Sequence, residues 1–189
     1  MAHTLLDTPV GPVYLETTER GLRHLTFAND VRQTLRPETL EAAPAAVADL
    51  DAAEALLVEV QRQLDAYFDG DLREFDLPLD MVGTPFQRRV WQAIASIPFG
   101  QTASYAEVAV SAGAPNAYRA AGTACGSNPV AIIVPCHRVV GTDRGLHGFG
   151  GGLDSKIYLL RHEGSLGSLR TGLPPTGRTA KAQKQAVLI

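Results

Sequence analysis

A cysteine and a histidine stand side by side at the end of a short apolar run. Residues 130–134 read Val-Ala-Ile-Ile-Val, which is typical of a strand buried on all sides, and Pro135 ends the run. Cys136 and His137 follow at once. This pair is a candidate nucleophile, because an imidazole can take the thiol proton and the thiolate is the reactive form. The alternative is a small hydrophobic cysteine that caps a core strand, and the flanking Pro, His and Arg make it the weaker interpretation.

Composition and charge limit the classes of protein to consider. The 189 residues suffice for one large or two small domains, and the two cysteines form neither a disulfide framework nor a zinc site. No apolar run approaches the length of a membrane span, and no signal segment opens the chain, so we expect a cytoplasmic protein without a membrane partner. Residues 1–80 carry a net charge of −10 and residues 81–189 a net charge of +7, which suggests that only the second part meets phosphates.

The first part of the chain, residues 1–82, has the pattern of an α/β domain followed by a linker. Apolar residues recur at helical spacing from Ala52 to Asp69, and Gly70 follows as a stop signal, so this helix should pack on a sheet. The aspartates of this part are too scattered to indicate a metal site. Turn residues separate three short strands that predict an antiparallel meander, at His3–Leu6, Val13–Thr17 and Leu22–Phe27.

Residues 83–165 have the pattern of a mainly helical domain. Thr84 is a candidate N-cap before Pro85, and the Ser104-to-Glu107 capping box opens a second helix. Pro115 and Asn116 should cap a third helix, residues 117–126, which forms a helix-turn-helix pattern with the second. Asp154 or Ser155 should cap a last helix that runs through His162. We expect residues 166–189, rich in Gly, Ser, Thr and Pro, to be a disordered tail.

The third of these helices presents small side chains, among them Ala120 and Gly122, and one long cation, Arg119. A small face lets the backbone come close to DNA, so that the cation can enter the minor groove or the base stack. Tight packing between helices is the alternative reason for small residues. The glycine-rich residues 141–152 lack the lysine and spacing of a phosphate-binding loop, and a flexible wall fits them better.

The run Pro135-Cys136-His137-Arg138-Val139 resembles the active-site signature of the O6-alkylguanine-DNA alkyltransferases, also called methylated-DNA–protein-cysteine methyltransferases. The resemblance covers about residues 83–165 and is looser before them. It continues in order through Thr84-Pro85-Phe86-Gln87, Val90-Trp91, Ile97-Pro98, Gly100, Ser104-Tyr105, Arg119-Ala120, Gly122, Asn128-Pro129 and His162-Glu163-Gly164.

This resemblance implies a fold and an activity. The fold would be an N-terminal α/β domain of the ribonuclease-H-like kind, with an antiparallel sheet, and a mainly helical C-terminal domain that holds the helix-turn-helix and the reactive cysteine. The activity would be the irreversible transfer of an alkyl group from O6-alkylguanine, and from O4-alkylthymine, to the protein's own cysteine. The partner would be alkylated double-stranded DNA, and we expect a monomer without a cofactor. Some relatives carry zinc in the N-terminal domain, where this sequence has no cysteine, so we expect no metal.

The resemblance also assigns roles in the reaction. It implies that His137 deprotonates Cys136 through a bridging water, and that Glu163 orients His137. Asn128 would organise the turn around the site, and the Tyr105 hydroxyl would supply a proton or a hydrogen bond to the guanine as the alkyl group leaves. If the resemblance is set aside, the simplest interpretation of Glu163 is a carboxylate at a helix end in solvent. The simplest interpretation of Tyr105 is a buried tyrosine that packs between two helices.

Further residues would contact the DNA and the base. Arg119 would fill the space left by an extruded nucleotide, with Tyr118 as a neighbouring contact and Ala120 and Gly122 on the same helix. Two positions would contact the base through the backbone, namely Val139 and Gly150.

Three other functions compete with alkyl transfer. A lesion-binding protein of the same fold lacks the reactive cysteine, so Cys136 argues against it. A helix-turn-helix regulator would present several base-reading side chains on residues 117–126, where Arg119 stands almost alone. A cysteine hydrolase built on Cys136 and His137 would turn over many times, whereas a thioether product would limit this protein to one reaction.

Overall fold

The N-terminal domain is a three-stranded sheet covered by one helix in this computed structural model, which describes residues 1–28 and 50–170. Strands β1 (Ala2–Leu6), β2 (Val13–Thr18) and β3 (Gly21–Phe27) pair antiparallel in the order β1-β2-β3, which confirms the predicted meander. Helix α1 (Leu50–Asp69) packs on this sheet through fully buried Val60 and Leu64. The Thr17 hydroxyl also donates a hydrogen bond of 2.7 Å to the Ala53 carbonyl of α1.

The second domain is mainly helical, as predicted. Its helices are α2 (Pro85–Ala95), α3 (Tyr105–Ser111), α4 (Tyr118–Gly126) and α5 (Gly152–His162). Capping boxes start α2 at Thr84 with Gln87 and α3 at Ser104 with Glu107. Helix α4 packs against both α2 and α3. On α2, fully buried Trp91 donates its indole N–H to the Ala124 carbonyl of α4 at 2.8 Å, which ties these two helices together.

Two helix starts differ from the sequence-based prediction. Helix α4 begins at Tyr118, and Ala117 takes the N-cap position without a side-chain hydrogen bond, so Pro115 and Asn116 do not cap it. Helix α5 begins at Gly152 with Gly151 as its N-cap. In both cases the expected polar cap was not used, and neither N-cap residue makes a side-chain hydrogen bond to the helix.

The apolar run before Cys136 is buried, but it does not form the predicted strand. Val130 makes one isolated bridge to Leu25 of β3, and the chain then turns, with Ile132 in the left-handed region at φ 69°. The Asn128 side chain closes this turn, because its oxygen accepts from the Val130 N–H at 3.1 Å and its amide donates to the Val134 carbonyl at 2.8 Å. A left-handed conformation costs a β-branched residue about 1–3 kcal/mol, so the side-chain bridge and the burial of the run must stabilise it.

The two domains meet at this turn. The Leu25 N–H donates to the Pro129 carbonyl and the Ala131 N–H donates to the Leu25 carbonyl, each at 2.8 Å. Past the reactive cysteine, β5 (Val139–Val140) pairs in parallel with β4 (Ala103–Ser104), directly before α3. The reactive segment is therefore held by strand β3 on one side and by the start of α3 on the other.

Residues 166–170 lie within the tail that the sequence led us to expect as disordered. They contain a short 3-10 turn, Leu166–Ser168, and the Arg170 N–H donates to the Arg144 carbonyl at 2.9 Å. The rest of that tail and the connection at 29–49 lie outside the described residues. Among residues 1–28 and 50–170, no helix has the length and apolar character needed to cross a membrane.

Candidate active site

Cys136 opens a 3-10 turn, Cys136–Arg138, and its side chain reaches a cavity of about 180 Å³. Nine per cent of the residue stays accessible, so the sulfur is buried but reachable from the cavity. The walls come from β3, α3, α4, the Asn128 turn and the glycine-rich loop. They are formed by Thr26, Phe27, Tyr105, Gly122, Cys125, Gly126, Asn128, Ala131, Gly148, Phe149 and Gly150.

His137 is fully buried behind the cavity wall. Its Nε2 lies 2.8 Å from Oε1 of Glu163, while its Nδ1 has no hydrogen-bond partner within the described part of the chain. A carboxylate can only accept, so Nε2 carries the hydrogen and Nδ1 holds a lone pair. Burial lowers the pKa of His137, even though Glu163 acts in the opposite direction. The ring is therefore neutral near pH 7 and can accept a proton at Nδ1.

Glu163 joins both domains in one buried network. Arg138 donates to its two oxygens from Nε at 2.8 Å and from Nη2 at 3.0 Å, and the Tyr67 hydroxyl of α1 donates to Oε1 at 2.7 Å. Burial pushes the pKa of Glu163 upward, but hydrogen bonds from His137 and Arg138 outweigh it and lower that pKa to about 2. Neither Tyr67 nor Arg138 was predicted as a site residue, and Tyr67 is marked in the sequence only as part of the apolar stripe of a helix.

The surroundings of Cys136 favour its thiolate. The pKa of Cys136 is lowered by the neighbouring Cys125 thiol, against the opposing effect of burial, with further help from the Asn128 side chain and the Lys156 charge. Buried Lys156 donates from Nζ to the Val139 carbonyl at 2.7 Å and to the His147 carbonyl at 3.3 Å. Cys125 and Lys156 were both missed as site residues, because each stands alone at a core position of a helix.

Tyr105 lines the same cavity from the first residue of α3. Burial, and to a lesser extent the nearby sulfurs of Cys125 and Cys136, raise the pKa of Tyr105 to about 12. The phenol therefore stays protonated at neutral pH and can donate a hydrogen bond to whatever occupies the cavity.

The expected DNA-contacting and base-contacting residues lie in three places. Tyr118 and Arg119 are exposed on α4, with the guanidinium carbon 5.7 Å from the ring centroid, and Ala120 is exposed beside them. On the inner side of the same helix, Gly122 lines the cavity, as does Gly150 in the glycine-rich loop. Val139 does not line it, because its side chain is fully buried and its carbonyl is taken by Lys156.

Aromatic rings form part of the cavity wall. Phe27 and Phe149 meet edge to face with centroids 5.3 Å apart, and Phe149 also lies 6.5 Å from the His137 ring. No three His, Cys, Asp or Glu side chains within residues 1–28 and 50–170 come close enough together to hold a metal ion. A thiol and a phenol donor thus share one mostly apolar cavity, and a neutral imidazole directly follows the thiol in the chain.

Two family models match the chain. Residues 1–81 match the ribonuclease-like domain of 6-O-methylguanine DNA methyltransferase, and residues 85–165 match its DNA binding domain.

Individual relatives agree with the family models. The methylated-DNA–protein-cysteine methyltransferase of Methanosarcina barkeri is 44% identical over 163 residues, which cover 86% of this chain and 97% of that protein. The protein of the same name from Mycobacterium leprae is 46% identical over 158 residues, or 84% and 89% of the two chains. The crystal structure of Mycobacterium tuberculosis OGT in complex with DNA superposes with a TM-score of 0.73 at 43% identity, over 87% of this chain and 93% of that one.

Proposed function

The chain belongs to the 6-O-methylguanine DNA methyltransferase family, and we propose that it repairs DNA by moving an alkyl group from guanine O6 onto its own Cys136. The observation that supports this proposal most directly is the position of the Cys136 sulfur at a cavity. The sulfur reaches a cavity of about 180 Å³, its surroundings lower its pKa, and the residue that follows it, His137, is a neutral imidazole.

The first step of the proposed reaction forms the thiolate. His137 takes the thiol proton at Nδ1, and a bridging water spans the gap, since no direct hydrogen bond joins the two side chains. Glu163 fixes the ring through Nε2 and stabilises the imidazolium that results, in the role of the third member of a triad. Asn128 holds the turn that presents the sulfur.

In the second step the thiolate attacks the alkyl carbon and the carbon–O6 bond breaks. The electron pair of that bond goes to the guanine, and Tyr105 donates a hydrogen bond or a proton to the ring as the charge develops. The products are S-alkylcysteine and unmodified guanine. A thioether has no leaving group that water can displace easily, so each molecule would act once.

We further propose that the substrate is a nucleotide extruded from duplex DNA, which costs a few kcal/mol of unstacking. Arg119 would fill the vacated space, with Tyr118 and Ala120 beside it at the DNA surface. Gly122 would let α4 approach the strand, and the backbone of Gly150 would contact the base. Val139 fits a base contact less well, because Lys156 already occupies its carbonyl.

We also propose O4-alkylthymine as a second substrate, because it offers an equivalent alkyl–oxygen bond.

We also propose that the protein acts as a monomer in the cytoplasm. Residues 1–82 would support the site through Tyr67 and β3, and residues 83–165 would bind DNA and carry out the transfer.

The direct test is intact-mass measurement after incubation with a duplex that carries O6-methylguanine. The expected result is a gain of one methyl group per protein, mapped to Cys136 and absent in Cys136→Ser. Tight binding without any gain in mass would favour the alternative, a lesion-binding protein of the same fold. Product in excess of protein would instead indicate a cysteine hydrolase.

A further inference from the structure

Thr26 of β3 brings a buried hydroxyl to the cavity, and the proposed reaction leaves that hydroxyl unused. The residue has 4% of its surface accessible and lines the same space as Cys136. Its Oγ1 has no hydrogen-bond partner among the residues that the structure describes. The large majority of buried hydroxyls are hydrogen-bonded, because an unpaired one destabilises the folded state. The unpaired hydroxyl at the cavity therefore requires an explanation.

Within residues 1–28 and 50–170, three buried side-chain atoms lack a hydrogen-bond partner, and they belong to His24, Thr26 and His137. The His137 atom is Nδ1, which accepts the thiol proton in the proposed reaction. The His24 atom is also Nδ1, and it lies 3.5 Å from Oε2 of Glu16, so a carboxylate is close to it. The Thr26 hydroxyl is thus the one of the three that neither the reaction nor a neighbouring carboxylate explains.

Contacts on both sides along the strand hold Thr26 at the cavity. Before it, the N–H and the carbonyl of Leu25 are each hydrogen-bonded at 2.8 Å to the backbone of the Asn128 turn. After it, the Phe27 ring packs edge to face on Phe149 of the glycine-rich loop, with centroids 5.3 Å apart. Thr26 therefore has a fixed place in the cavity wall, and it comes from the N-terminal domain.

We propose that Thr26 is a substrate-binding residue, whose hydroxyl forms a hydrogen bond with a polar edge atom of the alkylated base when the base enters the cavity. This inference rests on the proposed function, since it assigns Thr26 a part in the same reaction. A hydroxyl can both donate and accept, so it can pair with a ring nitrogen or with the amino group of the purine. The N-terminal domain then binds the substrate directly, in addition to its contact with Glu163 through Tyr67.

Removal of this hydroxyl should affect stability and binding in opposite directions. Valine has nearly the shape of threonine but no hydroxyl, so Thr26→Val removes the unpaired group and should leave the melting temperature of the free protein unchanged or raise it. The same change removes one hydrogen bond from the complex with the base, and a neutral hydrogen bond contributes about fivefold to binding. A hydroxyl that only supported the fold would give the reverse pattern, with lower stability and unchanged binding.

The reaction with free O6-benzylguanine tests this role, because the free base has no sugar or phosphate that the protein could bind instead. The rate of alkylation is measured against its concentration, which gives the half-saturating concentration KI and the limiting rate constant, and a thermal melt is recorded for each protein. Thr26→Val should raise KI about fivefold and leave the limiting rate constant nearly unchanged. Thr26→Ser keeps a hydroxyl, so its KI should stay close to that of the wild type.

Thr17→Val is the matched control, since Thr17 lies on the neighbouring strand β2 and its buried hydroxyl has a partner. That hydroxyl donates to the Ala53 carbonyl at 2.7 Å, and Thr17 does not line the cavity. The control should therefore lower the melting temperature and leave KI unchanged.

Three results would each overturn the role of Thr26. They are a wild-type KI in Thr26→Val, a melting temperature of Thr26→Val below that of the wild type, and a rise of KI in Thr26→Ser or Thr17→Val equal to that in Thr26→Val. If the wild type gains no alkyl group from O6-benzylguanine, the proposed function itself fails. An alkylated wild type together with an unchanged KI in Thr26→Val removes only the role of Thr26.

Discussion

Replacing Glu163 with glutamine should destabilise the folded protein by about 3 kcal/mol near neutral pH. The side chain is fully buried, and its pKa of about 2 lies well below the ordinary 4.5. At about 1.4 kcal/mol per pKa unit, that depression corresponds to about 3 kcal/mol of stability. The substitution also leaves the Arg138 charge unpaired with 6% of the residue exposed, and breaking a buried ion pair costs about 3–5 kcal/mol.

The loss of unfolding free energy caused by Glu163→Gln should depend on pH. The folded-state pKa of Glu163 is depressed, so its contribution is fully present above the ordinary value of 4.5 and is lost as the pH falls toward about 2. The difference in unfolding free energy between wild type and Glu163→Gln should therefore be constant near neutral pH. It should shrink progressively below 4.5.

Urea denaturation at neutral pH and again in the acid range measures this difference. Glu74→Gln is the matched control, since Glu74 is exposed and such surface changes alter stability by about 0.5 kcal/mol or less. A penalty for Glu163→Gln below about 1 kcal/mol at neutral pH would refute the reasoning, as would a penalty that acid leaves unchanged.

Three further outcomes follow from the site. Arg119→Ala should weaken repair of O6-methylguanine in duplex DNA but spare the reaction with free O6-benzylguanine, and an equal loss on both substrates would remove the extrusion role. Tyr105→Phe should slow the reaction on both substrates by about a hundredfold or more if its hydroxyl protonates the guanine. The remaining rate should show no new pH dependence in the neutral range, because the pKa of Tyr105 is about 12. Alkylation of Cys136 should lower the melting temperature, by an amount equivalent to about 1–3 kcal/mol, since the added group crowds a packed site, and an unchanged or higher midpoint contradicts this.

The features that could be predicted from sequence are those that local residues decide. The meander, the Thr84 N-cap and the Ser104-to-Glu107 capping box depend on neighbours within a few positions, and all three appear where expected. The strand at 130–134 was wrong because the Asn128 side chain bridges six residues to Val134, and it holds Ile132 in a conformation that β-branched residues avoid. Apolar content alone does not distinguish a buried strand from a buried turn.

The partners of the reactive cysteine were harder to foresee than the cysteine itself. Cys136 and His137 are adjacent and stand out by type, whereas Tyr67 meets Glu163 across 96 positions of sequence. Lys156 and Cys125 look like ordinary core-facing positions of α5 and α4, and only the fold shows that both act on one sulfur. The electrostatics of the site thus depend on long-range packing that no local pattern encodes.

The hydrogen bond from Trp91 to α4 gives this protein a built-in optical reporter. Trp91 is the single tryptophan of the chain, and its indole N–H is bound to the Ala124 carbonyl, next to Cys125 and two residues from Gly122. Indole emission depends on the polarity and hydrogen bonding around the ring. Its colour and intensity should therefore follow any shift of the helix that carries Arg119, so DNA engagement can be watched without an attached dye.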